Sequence, residues 1–113
     1  HMHTRGKSGK FVMHLPDGTQ KTVLSVADYD FNWQESYILK QPMLVKKGTK
    51  IECIGVFDNS EKNYDNPDAT KPVKWGEQTW EEMMIGYIDW VPAKKDTAAA
   101  ATKAPADGKS DAS

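Results

Sequence analysis

The chain has 113 residues, 38% of them hydrophobic, with 15 basic and 16 acidic side chains and a formal net charge of −1. That length fits one domain, and the charge balance gives no electrostatic case for nucleic acid or an anionic membrane surface. No apolar run approaches the roughly 20 residues that span a bilayer, and the single cysteine, Cys53, has no partner for an internal disulfide.

In chain order, the first feature is His1-Met2-His3. A chain that starts at His rather than Met is expected to lack its natural start, so the missing signal peptide says little about compartment. On a strand, residues i and i+2 share a face about 7 Å apart. His1 and His3 therefore point one way and Met2 the other, and both imidazoles can reach one metal ion. The pair alone equally fits surface histidines or a cloning remnant. Residues 11–15 read as a strand, Pro16-Asp17-Gly18 as a turn, and residues 19–26 as the returning strand of a β-hairpin, with His14 on its exposed side. Residues 33–39 read as a third strand, with aromatics alternating around polar residues. Residues 46–49 form another turn, and residues 50–57 are β-branched and partly alternating. Cys53 on that strand reads as a small buried apolar residue.

Residues 58–71 form a long polar loop of Asn, Asp and Pro. Its clustered oxygens raise the idea of calcium, but Asx residues bonding their own backbone are the stronger reading. Trp75 and Trp80 are expected to pack the end of this loop as core or rim aromatics. Residues 80–90 read as the last strand. Glu81, Met83, Ile85 and Tyr87 share one face, and Glu82, Met84, Gly86 and Ile88 the other. Either methionine could supply a third ligand from its own face, though a strand methionine also fits core filling. Imidazole suits both oxidation states of copper, and a thioether favours Cu(I). With no helical period and many short strands between turns, the expected fold is an all-β sandwich over residues 1–92. Residues 93–113, rich in Ala, Lys, Asp and Ser, are expected to be a disordered tail or linker.

His1-Met2-His3-Thr4-Arg5-Gly6-Lys7, residues 53–60 and Trp80-Glu81-Glu82-Met83-Met84 together resemble the C-terminal domain of the copper type II, ascorbate-dependent monooxygenases. That family includes peptidylglycine α-hydroxylating monooxygenase and dopamine β-monooxygenase. The likeness runs through nearly all of residues 1–90, with the motifs in order. It implies an antiparallel β-sandwich of jelly-roll type. It also implies one copper ion held by His1, His3 and Met83, which selects Met83 over Met84. Tyr87 matches a substrate-contacting tyrosine, and ascorbate is the implied reductant. The implied partners are an N-terminal domain carrying a second copper and a small-molecule or peptide substrate; the implied compartment is periplasmic or extracellular.

Four departures stand out. Met84 replaces a cysteine that the vertebrate members bond to the position of Cys53. Ile85 replaces a substrate-contacting asparagine. The three-histidine copper domain and the arginine expected before the His-x-His pair are not in this sequence. The expected function is therefore the oxygen-reactive copper half of a C–H-hydroxylating monooxygenase, incomplete without its electron-transfer domain. The alternative is a non-catalytic copper-binding or structural β-sandwich module of a larger secreted protein, with the His1 amine and imidazole chelating copper as a brace.

Overall fold

The computed structural model describes residues 1–94. Three strands form one antiparallel sheet, β1 (Gly6–His14), β2 (Gln20–Val26) and β3 (Lys50–Phe57), in the order β2-β1-β3, and no helix occurs among the described residues. The β1–β2 hairpin closes because Pro16 sets the first turn dihedral and Gly18 takes φ +88°, a region that costs any residue with a Cβ. Gly18 N–H donates to Leu15 O, Leu15 N–H donates to Thr19 O, and the Asp17 carboxylate accepts from both Thr19 N–H and Thr19 Oγ1. Gly48, at φ +92°, plays the same part in the turn that leads into β3, where Thr49 N–H donates to Lys46 O.

The central strand is covered on both faces. Val12 and Met13 are neighbours, so they point to opposite sides, and they are 7% and 4% exposed. On the Met13 side, Gly9 stands opposite Gly55 and Phe11 opposite Cys53. The two facing glycines leave a gap in the sheet surface, and methionines fill it. A Cβ on Gly55 would collide with Met84 Sδ and lie 3.0 Å from Met2 Sδ, and one on Gly9 would lie 3.5 Å from Met2 Cε. Met2 and Met84 are themselves directly opposite in an isolated antiparallel bridge. His3 N–H donates to Met83 O (3.2 Å) and Ile85 N–H to His1 O (2.8 Å) on either side of it. A short ladder of residues 1–3 against 83–85 thus lies on the sheet and is pinned there by two thioethers.

The hairpin and β3 match the sequence reading, and β1 begins earlier, at Gly6. Two expected strands do not form. Residues 33–39 are irregular: after β2 the chain leaves the sheet through Tyr29 N–H to Lys7 O, then turns at Asp30, which takes Trp33 N–H on its carbonyl and Asn32 N–H on its carboxylate. The expected last strand, 80–90, reduces to the Met84 bridge and a parallel bridge between Trp75 and Glu82. Trp75 and Trp80, expected in the core or at its rim, are 66% and 58% exposed, because the loop before them satisfies itself. Asp58, Asn63, Asn66 and Asp68 each accept on the side-chain oxygen from the backbone N–H two residues on. These Asx turns give the clustered Asn and Asp side chains a structural role that needs no metal. The expected tail lies, apart from its first two residues, outside the described residues.

Candidate metal centre

The register of the ladder decides which side chains meet. Met2 and Met84 face the sheet, so their neighbours His1, His3, Met83 and Ile85 face away from it together. His3 and Met83 are directly opposite, which places their Cβ atoms about 5 Å apart. Met84, although 38% exposed, lays its sulfur over Gly55, leaving Met83 as the methionine on the side of the histidines. The sequence reading had left that choice open on spacing alone.

The two imidazoles sit edge to face, with centroids 5.2 Å apart. Two rings binding one ion through Nε2 at about 2.0–2.1 Å have centroids roughly 4.5–5.5 Å apart. His3 is 5% exposed, and its Nδ1 lies 3.1 Å from Glu81 O. A carbonyl only accepts, so Nδ1–H donates and the lone pair is on Nε2. His1 Nδ1 lies 2.6 Å from Gln34 Oε1 and is fixed in the same sense. An oriented Nδ1–H with a free Nε2 is the arrangement of metal-binding histidines. Phe31 covers the pair, 6.3 Å from the His1 ring and 6.2 Å from the His3 ring. Among the described residues no three His, Cys, Asp or Glu side chains gather for a metal. The third donor on this face is a thioether, and two imidazoles with a thioether fit copper better than a hard cation.

The strand is held from outside the site. Tyr29 Oη accepts from Met2 N–H (2.9 Å) and donates to Met2 O (2.5 Å), gripping the residue between the two histidines from both sides. The opposite segment is held by side chains of residues 3, 4 and 5. His3 Nδ1 bonds Glu81 O, Thr4 Oγ1 bonds Thr79 O at 3.1 Å, and Arg5 Nη1 bonds Trp80 O. The brace alternative needs the His1 amine and Nδ1. Nδ1 is bonded to Gln34 Oε1, while the amine donates to Ile85 O at 2.8 Å and burial holds its pKa below the ordinary 8.0, which favours the neutral form a brace uses.

The remaining candidates fall elsewhere. Tyr87 is 72% exposed, in a segment without strand pairing, so the alternation that placed it on the Met83 face extends only to Ile85. His14 is on the far side of the sheet, 3.1 Å from Glu52. Cys53 packs toward Gly86, and burial pushes its thiol pKa up. Tyr29, Phe31, Gln34 and Arg5 were not singled out by the sequence. Only the density of aromatic and Asx residues around Asp28-Tyr29-Asp30-Phe31 marks that loop as more than a connection. The chain matches no protein-family model, no curated protein and no solved structure.

Proposed function

We propose that this chain is the oxygen-reactive copper half of an ascorbate-dependent monooxygenase-like protein, with one copper ion held by His1, His3 and Met83. In this reading the sheet and its methionine-pinned ladder are the core of a jelly-roll-type β-sandwich. An N-terminal copper domain supplies electrons drawn from ascorbate. A small-molecule or peptide substrate is hydroxylated at a C–H bond in a periplasmic or extracellular setting. The observation that carries the reading is the Met2–Met84 register, which turns two imidazoles and one thioether to the same side.

When bound, copper supplies one-electron chemistry with O2. The chain's own residues set the conditions for it. Glu81 O and Gln34 Oε1 take the Nδ1 protons and leave both Nε2 lone pairs free. Phe31 shields one side of the rings from water. Met83 offers a soft donor that favours the reduced ion. Tyr87, exposed beyond the ladder, remains the candidate for substrate contact.

Titration with Cu(I) and Cu(II) tests the site. His3→Ala is expected to weaken both ions by about 10–100-fold, and Met83→Ala to weaken Cu(I) far more than Cu(II). Retained one-to-one affinity in both variants sinks the assignment.

A further inference from the structure

We infer that Arg5 is a positioning residue: it holds the segment bearing Met83 against the histidine strand and thereby sets the site's preference for Cu(I) over Cu(II). The inference rests on the copper reading for its second half only. Arg5 is 4% exposed, yet it makes no ion pair with a carboxylate among the described residues. Its guanidinium instead spans two neutral acceptors on different segments, with Nε donating to Asn66 Oδ1 at 3.0 Å and Nη1 to Trp80 O. Burying a cation this way is costly, and the planar fork gives in return two bonds at a fixed angle, which lysine cannot supply.

Both ends of that span are anchored. Asn66 also accepts from Asp68 N–H and donates through Nδ2 to Ser60 O, so it belongs to the self-bonded polar loop. Arg5 O accepts from Asp58 N–H at 2.9 Å, tying the same loop to the strand. At the other end, Trp80 O lies between Thr79 O and Glu81 O, which Thr4 and His3 hold. Consecutive carbonyls 79, 80 and 81 are thus gripped by side chains of residues 4, 5 and 3. Of these grips, Arg5 alone reaches a third segment.

The two halves of the site depend on Arg5 unequally. His1 and His3 are fixed through Met2, by the Tyr29 hydroxyl and by packing on Gly55 and Gly9. Met83 is carried by a segment whose N-terminal side is held by these carbonyl contacts and by the turn from Lys74 to Glu82. Loss of Arg5 displaces the sulfur donor more than the imidazoles, of which only His3 leans on this segment, through Glu81 O and Met83 O, and a thioether matters chiefly to Cu(I).

The test uses the full 113-residue chain with Arg5→Met, Arg5→Lys, Asn66→Ala and Asn66→Asp, each titrated with Cu(I) and with Cu(II). Metal-free amide exchange is measured alongside at His3, Glu81 and Glu82. The expected result for Arg5→Met is a Cu(I) affinity lowered about ten-fold or more with Cu(II) lowered distinctly less, and faster exchange at the three amides with β1–β3 protection unchanged. Arg5→Lys falls between. Asn66→Ala shows a smaller version of the same split, and Asn66→Asp, which keeps the acceptor for Nε but loses the Nδ2 donor to Ser60 O, shows less of it than Asn66→Ala. Unchanged affinities and exchange, or equal losses of Cu(I) and Cu(II), overturn the inference. If Arg5→Met does not fold, the two Asn66 variants decide by the same criteria. If the parent takes up no copper, the copper reading fails, and the exchange data alone uphold or overturn the positioning role.

Discussion

Tyr29 holds the strand between the two candidate histidines. Its hydroxyl serves the N–H and the C=O of Met2, so Tyr29→Phe leaves two backbone groups without their partner. The expected cost is about 1–3 kcal/mol, measured by denaturant unfolding. A loss no larger than that of an exposed tyrosine such as Tyr64, 99% exposed, would contradict the assigned role. Cys53 gives the opposite expectation. Its thiol is pushed up in pKa by burial, so little thiolate is present at neutral pH. Thiol reagents should modify it more slowly than a free cysteine, and Cys53→Ala should leave copper affinity unchanged. That His1 and His3 share a face, and that Met83 and Met84 face opposite ways, was legible in the sequence, because alternation is a property of any strand; which methionine lies on the side of the histidines was not, since that needs the Met2–Met84 register. The groups that orient the rings were not. Gln34 reaches His1 across 33 positions from an irregular loop, and Glu81 contributes a backbone oxygen rather than its side chain.

Among the elements, the hairpin and β3 were readable because their turns carry local chemistry. Gly18→Ala places a Cβ at φ +88° and is expected to cost about 1–2 kcal/mol, read as a lowered unfolding midpoint. Gly55→Ala sets a methyl against Met84 Sδ and is expected to cost about 1–3 kcal/mol, with the methionine methyl resonances shifted. Residues 33–39 misled because alternating aromatics indicate which way a strand would face, not whether a neighbour exists to pair with it. Trp33 and Ile38 are 72% and 93% exposed. In the polar loop, hydrogen bonds from Ser60 and Thr70 hold the carboxyls of Asp58 and Asp68 below the ordinary 3.8. A depressed carboxyl stabilises fully above its unfolded pKa and loses that contribution as pH falls through the folded one. Amide protection at Ser60 and Thr70 should therefore hold from about pH 7 to pH 5 and decline only below 3.8. Decline near neutrality would point to another group.

For the whole molecule, copper held at the proposed site would be linked to the fold. An ion that binds only the folded chain adds about 2.7 kcal/mol at one hundred times its dissociation constant. Cu(I) should raise the melting temperature of the parent, a chelator should reverse the rise, and His3→Ala should markedly reduce it. All-β character was legible from the missing helical period. The single three-stranded sheet was not, since strand counting from pattern assigns a partner to every apolar run.

The ladder that carries the site is two-sided. Its inner side presents the sulfurs of Met2 and Met84 to the glycine gap, and its outer side presents the imidazoles. A slip of one residue would exchange the two sides. The thioethers wedged over Gly55 therefore act as an indexing key for the proposed metal-binding side, and a cavity or bulge made in that contact should register first as altered metal selectivity, before the sheet loses its order.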